Sequence, residues 1–357
     1  MSFETIYFKI KNGERLTISD GLKLFEINDL SVLSMLADLQ RNRIKTDNLI
    51  TYIIDRNINY TNICVADCSF CSFYRHMKDE DAYVLTYDEI DTKIEETVAL
   101  GGVQILMQGG LNPQLKLDYY IDLFKHIKNK FPQIHLHALS PPEILYIAKI
   151  MKMSIAEVIS ELVKAGLDSI PGGGAEILVE EVRNVIASNK WKPEEWLEVM
   201  RQAHLQKLKT TATMMFGSLE SVEHRLEHMI RIRELQDETG GFTAFIPWTF
   251  QPENNRLGKR LNYQKATAHE YLQTVAISRL MLDNIPNIQA SWVTMGPEIA
   301  QLSLRYGVND FGSLMIEENV VRQAGASFSL AEDDIKHLIT DSGYIPKRRN
   351  QAYQLLN

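Results

Sequence analysis

The chain has 357 residues, of which 45% are hydrophobic, so it can bury a large core in one barrel or in two average domains. A net charge of −8 and a pI near 5.7 argue against a nucleic-acid partner, because phosphates require a basic face. No apolar run approaches the roughly 20 residues of a membrane span, and the first residues lack the features of a signal peptide. Free cysteines fit a reducing compartment, so we expect a cytoplasmic protein that binds neither nucleic acid nor membrane.

Residues 1–50 carry a helical pattern and precede the main alternation of the chain. Asn12-Gly13 marks a turn, and Ser19-Asp20 can cap a helix whose apolar residues recur at helical spacing. A second helix is predicted around residues 31–41. We expect this segment to form an N-terminal helical cap that packs on the main domain.

From residue 51 onward, predicted strands alternate with amphipathic stretches of helical period. The predicted strands are Thr51–Ile54 with Tyr60–Ile63, Val103–Met107, Ile134–Leu139, Ser169–Ile170, Thr210–Phe216, Thr243–Trp248, Ile288–Val293 and a short one near Asp310–Gly312. Seven or eight βα units indicate an α/β fold, a (βα)8-type TIM-like barrel with an N-terminal helical extension. We predict a barrel over residues 51–328 and a C-terminal tail, 329–357, packed on it.

The three cysteines of the chain, Cys64, Cys68 and Cys71, are close together at Cys-x3-Cys-x2-Cys spacing. Cysteine used merely as a small hydrophobe would be scattered along the sequence. The three cannot easily pair as disulfides, because their number is odd and such tight loops are strained. The spacing therefore predicts three thiolates that converge on one metal centre.

Two kinds of centre are compatible with these thiolates. A structural zinc needs four protein ligands, and His76 is the conceivable fourth. An iron–sulfur cluster held by three cysteines leaves one iron open for a substrate or cofactor. The spacing favours the cluster, because zinc ligands more often come as separated Cys-x2-Cys pairs.

The cysteine spacing, with Phe70 just before the last cysteine, resembles the signature loop of the radical S-adenosylmethionine superfamily. The resemblance implies two cofactors, a 4Fe-4S cluster and S-adenosyl-L-methionine. In that superfamily an electron from the cluster cleaves the sulfonium and yields a 5′-deoxyadenosyl radical, and the residue at Phe70 packs near the adenine. A barrel would place this loop at its mouth, because the loop follows the first strand.

Two further loops follow predicted strands and resemble cofactor contacts. Gln108-Gly109-Gly110 resembles the Gly-Gly loop that binds the methionyl amine, although a tight turn explains it as well. Ser140 precedes two prolines and fits either a helix cap or a contact to the cofactor.

A glycine run with a carboxylate follows the short fourth strand. No Lys-Ser/Thr follows Gly173, so the run is not a nucleotide P-loop, and we assign Gly173 to the substrate. Glu176 fits the start of a helix, where the helix dipole favours a carboxylate. The resemblance implies instead that Glu176 accepts the ribose hydroxyls of S-adenosylmethionine.

The loop after the sixth predicted strand is stiff and aromatic. Trp248, Phe250 and Gln251 lie between two prolines, and aromatic faces at a barrel mouth suit a flat substrate ring. We assign all three to substrate binding, while Phe250 equally fits a side chain that fills the barrel rim.

His135 and His137 alternate on a predicted strand, so both face one side of it. A buried, hydrogen-bonded pair is one interpretation. If that side is the barrel interior, His137 lies nearer the mouth and is the candidate catalytic proton acceptor.

Longer stretches resemble one group within the superfamily, which holds the two radical enzymes of the futalosine route to menaquinone and the deazaflavin-chromophore synthases. The matching stretches are Asn59–Cys64, Pro171–Ile177 and Phe245–Asn254, within a resemblance that spans residues 17–325. Tyr60, residues 71–75 and residues 248–252 resemble most the cyclases of dehypoxanthine futalosine. Aminofutalosine synthase and a deazaflavin-synthase subunit remain alternatives.

The resemblance implies that the adenosyl radical removes the C4′ hydrogen of dehypoxanthine futalosine, and that the new radical adds to the benzoate ring. Loss of an electron and a proton then restores aromaticity. The implied partners are this small-molecule substrate and an electron donor such as flavodoxin or ferredoxin. Two rivals are a zinc-stabilised interaction module, using the three cysteines with His76, and a barrel lyase, for which no Schiff-base lysine ends a predicted strand.

Overall fold

The computed structural model describes residues 3–262 and 264–356. Within these residues the strands are β1 (Leu49–Ile53), β2 (Asp55–Ile58), β3 (Gln104–Met107), β4 (His135–Ala138), β5 (Ser169–Ile170), β6 (Lys209–Phe216), β7 (Phe242–Thr249), β8 (Asn287–Ile288), β9 (Asp310–Ser313) and β10 (Ile345–Arg348). Strands β2 to β8 form one parallel sheet in sequence order.

Strand β9 completes the ring. It pairs in parallel with β1, and Gln289, just beyond β8, bridges to Asp310 at its start. Because β1 and β2 are consecutive parts of one extended segment, the ring has eight positions. The predicted α/β barrel is therefore confirmed.

Helices surround this ring and flank it at both ends of the chain. The helices are α1 (Phe3–Asn12), α2 (Ile18–Phe25), α3 (Leu30–Ile44), α4 (Tyr87–Ala99), α5 (Leu117–Lys130), α6 (Pro141–Met151), α7 (Ile155–Ala165), α8 (Glu180–Ile186), α9 (Pro193–Leu205), α10 (Val222–Thr239), α11 (Arg256–Leu261), α12 (Ala268–Met281), α13 (Trp292–Met295), α14 (Pro297–Ser303) and α15 (Glu332–Asp341). No helix of the described chain has both the length and the apolar content needed to cross a membrane.

Local sequence explains where these helices begin and end. Helix α4 begins after a capping box, in which the Thr86 hydroxyl accepts from the Glu89 amide and Glu89 bonds back to Thr86. Helix α7 ends at Gly166, whose φ of 118° lies in the left-handed region that glycine adopts without strain. Helix α5 buries Leu123, Phe124 and other apolar residues at helical spacing, and each such side chain contributes about 1.5–3 kcal/mol.

The two chain ends contact the barrel differently. Helix α3 packs on α12, and α2 packs on α10 and α12, outside the ring. The C-terminal tail instead adds β10 to the free edge of β1. The division of the chain at residues 50 and 328 stays a prediction.

Three local predictions differ from the structure. Tyr60–Ile63 forms isolated bridges to Val84 and Arg75 rather than a strand, because its backbone pairs with the surrounding loops and not with a neighbouring strand. The strand predicted over Ile288–Val293 ends at Ile288, and the chain turns into α13, with the Ser291 amide donating to the Tyr271 hydroxyl. Strand β10 was not predicted, because it pairs with a partner about 300 residues away.

Candidate active site

One cavity of about 400 Å³ occupies the barrel interior. Loops that follow β2, β3, β4 and β5, together with β7 and the C-terminal tail, contribute to its wall. The sequence-predicted residues that line it are Cys64, Cys68, Phe70, Cys71, Gln108, Gly109, Gly110, His137, Ser140, Gly173, Glu176 and Trp248. The barrel therefore brings most of the predicted site residues into one space, as expected for residues at the ends of barrel strands.

The cysteine loop is held by its neighbours. The Ser69 amide donates to the Ile186 carbonyl at 2.9 Å, and the Ala66 amide donates to Cys64 Sγ at 3.4 Å. A Cβ at Gly110 would lie 2.2 Å from the Ile63 carbonyl oxygen and 2.8 Å from Cys64 Cβ. Only glycine allows this close approach between the second loop and the cysteine loop.

The buried thiols suit a positively charged group. Burial raises the pKa of Cys68 to about 12, and the nearby charge of Lys190 opposes this rise. Burial also raises the pKa of Cys71, against hydrogen bonds from the Phe73 and Tyr74 amides. Iron ions in the cavity would supply the positive charge that stabilises the thiolates.

The geometry fits a cluster better than a single zinc ion. A tetrahedral zinc holds its sulfurs roughly 4 Å apart. Among the residues that the structure describes, no three His, Cys, Asp or Glu side chains converge closely enough to hold one ion. The His76 side chain is 62% exposed and faces Asp67, and it is not among the residues that line the cavity. An iron–sulfur cluster is held by cysteine thiolates and needs no histidine, which agrees with the three cysteines that line the cavity.

Glu176 is a buried carboxylate with two cationic partners. Lys190 Nζ donates to Glu176 Oε1 at 2.9 Å, and Arg183 Nη1 donates to Oε2 at 3.4 Å. Glu176 has a φ of 42° and precedes α8, so it does not open the helix as one interpretation proposed. The carboxylate is therefore oriented toward the cavity by charges, not by a helix dipole.

Lys190 is a site residue that sequence reasoning missed. Its ammonium lies 5.3 Å from the centre of the Phe70 ring, and it lines the cavity. Burial alone would lower the pKa of Lys190, but the charges of Cys68 and Glu176 raise it above its ordinary value. No motif marks Lys190, because it lies in an irregular loop between two helices.

Glu143 is a second missed residue of the cavity wall. Its carboxylate accepts from the Tyr60 hydroxyl (2.6 Å), the Gly109 amide (3.0 Å) and the Ser140 amide (2.7 Å) and hydroxyl (2.6 Å). Burial raises the pKa of Glu143, while these bonds oppose the rise. Ser140 thus caps α6 and lines the cavity at once, and its Ser-x-x-Glu spacing was a readable signal for Glu143.

The loops assigned to cofactor and substrate touch each other. A Cβ at Gly173 would lie 2.4 Å from Gln108 Nε2, and a Cβ at Gly109 would lie 2.6 Å from the Tyr60 ring. Only glycine allows this close packing of the two loops, and both glycines also line the cavity.

His137 lies on the cavity wall and is hydrogen-bonded at both nitrogens. Its Nδ1 is 2.6 Å from Ser169 Oγ, and its Nε2 is 3.3 Å from Gln351 Nε2. Burial lowers the pKa of His137 well below its usual value, with further lowering from His135 and Arg349. The ring is therefore neutral at neutral pH.

Of the three residues assigned to the substrate ring, only Trp248 lines the cavity. Alternation along β7 turns Ile246 and Trp248 inward. The chain leaves the strand after Thr249, Phe250 enters the core with 1% exposure, and the Gln251 amide donates to Thr249. This placement corrects the assignment of Phe250 and Gln251 to the substrate, because both are buried and neither lines the cavity.

The C-terminal tail closes the base of the cavity, which the sequence did not predict. Arg349, Gln351 and Tyr353 line it, and Arg349 Nη2 donates to Asp310 Oδ1 at 2.9 Å. Burial raises the pKa of the nearby Asp55 carboxyl, against its hydrogen bonds to Ser313 and Gln104.

Comparison with known proteins identifies the family of the chain. Residues 58–232 match the Radical SAM superfamily, and residues 239–357 match the CofH/MqnC C-terminal region. The chain is 48% identical to cyclic dehypoxanthine futalosine synthase of Halalkalibacterium halodurans, over 100% of this chain and 95% of that protein. It is 40% identical to aminodeoxyfutalosine synthase of Thermus thermophilus, over 97% and 94%.

A solved structure shows the same fold. The crystal structure of methylornithine synthase (PylB) superposes with a TM-score of 0.72 at 18% identity, covering 96% of this chain and 97% of that one. Radical SAM enzymes generally use S-adenosylmethionine and a 4Fe-4S cluster, which agrees with three cysteines on one cavity wall. The chain therefore belongs to the radical SAM enzymes, in the group that carries the CofH/MqnC C-terminal region.

Proposed function

We propose that the chain converts dehypoxanthine futalosine to cyclic dehypoxanthine futalosine in menaquinone biosynthesis. The observation that carries this proposal is the 48% identity to a synthase of that name across the whole chain. The cavity supports it, since Trp248 and the neutral His137 line the same cavity as the cysteine loop.

The residues of the mouth would hold the cofactors. Cys64, Cys68 and Cys71 would hold a 4Fe-4S cluster, and the open iron would take S-adenosylmethionine. Further contacts are proposed for residues that surround it: Phe70, Gln108, Gly109, Gly110, Ser140 and Glu176. When bound, the two cofactors supply a 5′-deoxyadenosyl radical that takes the C4′ hydrogen of the substrate.

The protein's own part is to orient the substrate and to accept a proton. Trp248 offers a flat face for the benzoate ring, and the Gly173 backbone allows close approach, so the ring is held as the nearest acceptor for the C4′ radical. After radical addition, His137 Nε2 takes the proton that the ring releases. The walls of the buried cavity exclude water from the radical.

Aminodeoxyfutalosine synthesis is the alternative within the same group, because the Thermus thermophilus enzyme also aligns over nearly the whole chain. The cyclase is favoured because the identity is 48% against 40%. A flavodoxin or ferredoxin in the cytoplasm is the proposed electron donor.

The test is anaerobic reconstitution with iron and sulfide, followed by dehypoxanthine futalosine, reductant and S-adenosylmethionine. We expect a product of cyclised mass, and deuterium placed at C4′ should appear in 5′-deoxyadenosine. Conversion of the substrates of aminodeoxyfutalosine synthase, with dehypoxanthine futalosine unchanged, would overturn the proposal. The Cys64→Ala variant is the control for product formed without the cluster.

A further inference from the structure

A continuous chain of hydrogen bonds leads from the cavity toward the N-terminal end of the barrel. His137 Nδ1 lies 2.6 Å from Ser169 Oγ, and the same Oγ lies 2.7 Å from His135 Nε2. Both histidines point to the same side of β4, and Ser169 is paired with His137 across the sheet. The barrel register therefore joins the two rings through one hydroxyl.

Gln351 sets the direction of this chain. Its amide nitrogen lies 3.3 Å from His137 Nε2, and an amide nitrogen only donates, so His137 Nε2 accepts and Nδ1 carries the hydrogen. His137 Nδ1–H then donates to Ser169 Oγ, and the Ser169 hydroxyl donates to His135 Nε2. In each of these two hydrogen bonds, the donor lies nearer the cavity than the acceptor.

The chain of hydrogen bonds runs from the interior of the barrel toward solvent. His137 lines the cavity and is 4% exposed, Ser169 is 1% exposed, and His135 is only half-buried. Lys128 and Asp168, which form a partly exposed ion pair, carry the charges that act on His135. Burial lowers the pKa of His135, as it lowers that of His137, so each neutral ring has one N–H and one nitrogen that accepts a hydrogen bond.

We propose that His137, Ser169 and His135 form a relay that carries the proton released by the substrate ring out of the cavity to the base of the barrel. The proposal rests on the cyclase function and extends it by naming the path of the proton. His137 touches the substrate side, while Ser169 and His135 act through it as positioning residues.

The proton that the relay carries comes from a C–H bond of the substrate ring. The C–H bond of the ring breaks, its two electrons stay in the ring, and the ring gives one electron to an acceptor of the iron–sulfur class. The proton binds His137 Nε2 in place of the Gln351 hydrogen bond. The Nδ1 proton moves to Ser169 Oγ while the Ser169 proton moves to His135 Nε2. His135 then releases one proton to water.

The fold offers a matched control for these hydrogen bonds. His204 Nε2 lies 2.7 Å from Thr210 Oγ1, in a buried histidine–hydroxyl pair of the same kind. Neither His204 nor Thr210 is among the residues that line the cavity. Thr210→Val therefore removes a comparable hydrogen bond without touching the proposed relay.

The first experiment compares Ser169→Ala with Thr210→Val in the reconstituted enzyme. We expect Ser169→Ala to keep its iron content and to form 5′-deoxyadenosine, while cyclic product per 5′-deoxyadenosine falls about tenfold or more. Ser169→Thr, which keeps a hydroxyl, should restore the ratio, and Thr210→Val should leave it unchanged. A Ser169→Ala ratio equal to that of the unchanged chain would overturn the relay.

The second experiment needs no cofactor. Long-range ¹⁵N–¹H spectra of the histidine-labelled, cluster-free chain should show His137 with hydrogen on Nδ1, and Gln351→Leu, which removes the donor to Nε2, should lose this preference. Hydrogen on Nε2 in the unchanged chain would contradict the relay. If the unchanged enzyme makes no cyclic product, the proposed function fails instead, so the two failures are distinguishable.

Discussion

The mouth and the base of the barrel both bury charged groups, but they balance them differently. At the mouth, the Glu176 carboxylate contacts two cations, and Lys190 also lies near the buried Cys68 thiol. At the base, Arg349 and Asp310 form a closed pair, with exposures of 2% and 0%. The Glu176 cluster therefore has one cation more than carboxylates, whereas Arg349 and Asp310 balance each other.

The two regions also differ in how the chain builds them. The cysteine loop and the loops after β3, β4 and β5 arrive at the mouth in chain order. The base joins Asp55 near β2 with Asp310 on β9 and Arg349 in the tail. The proposed cofactor contacts therefore depend on local loops. The shape of the cavity depends instead on a contact between distant segments, Asp310 with Arg349.

We expect the largest loss of activity from substitutions of the cysteines at the mouth of the barrel. Cys64→Ala, Cys68→Ala or Cys71→Ala should each abolish the visible absorption band of the cluster and all cleavage of S-adenosylmethionine, because each removes a cluster ligand. Iron analysis and 5′-deoxyadenosine assays check this. Ser72→Ala, which removes an exposed hydroxyl beside the loop, is the control. Retained cleavage in any cysteine variant would contradict the ligand assignment.

At the base of the barrel, we expect a substitution to lower the free energy of unfolding. Arg349→Met leaves the Asp310 carboxylate buried without its cation, and such losses cost about 3–5 kcal/mol. Urea unfolding measures this change in the free energy of unfolding. Lys164→Ala, at an exposed pair with Glu161, should change it by less than about 1 kcal/mol. Equal effects of the two substitutions would remove the distinction between closed and surface pairs.

Glu318 on the cavity wall differs from Glu176 and Asp310, because its carboxyl accepts hydrogen bonds from the Val320 and Val321 amides rather than from a cation. Burial raises its pKa to about 7, with Arg322 opposing and Glu317 adding to the rise. The folded state thus binds the proton more tightly than the unfolded state. Its contribution to stability is complete below pH 4.5 and is lost as the pH rises through 7, a loss of about 3 kcal/mol.

Urea unfolding at pH 4.5 and pH 8 checks this, with Glu318→Gln as the comparison. The unchanged chain should lose about 3 kcal/mol more than the variant over this range. An identical pH dependence in both would show that Glu318 does not carry the effect.

The smallest expected effect concerns one contact at the mouth. Glu176→Gln should weaken S-adenosylmethionine binding about tenfold, which is about 1.4 kcal/mol for one charged hydrogen bond, and leave the iron content unchanged. Equilibrium binding to the reconstituted enzyme measures it. Glu180→Gln, at an exposed pair with Lys192, is the control. Unchanged affinity would remove Glu176 from the site.

Sequence reasoning reached the residues whose role depends on local spacing. The cysteine loop, the Gln108–Gly110 turn and the strand carrying His137 were each predicted where the structure has them. It missed Lys190, which lies in an irregular loop, and it missed Glu143, although the Ser-x-x-Glu spacing was a readable signal. It placed Phe250 in the site because a linear pattern does not show whether a loop side chain turns toward the core or toward the cavity.

The barrel and the cysteine loop could be predicted from the sequence alone, because strand–helix period and cysteine spacing act over a few residues. Only the tertiary structure decided the base of the cavity, where Gln351 meets His137 across 214 positions of chain. The physical reason is that a contact between distant segments is selected by packing and burial of the whole ring, and no local pattern records it.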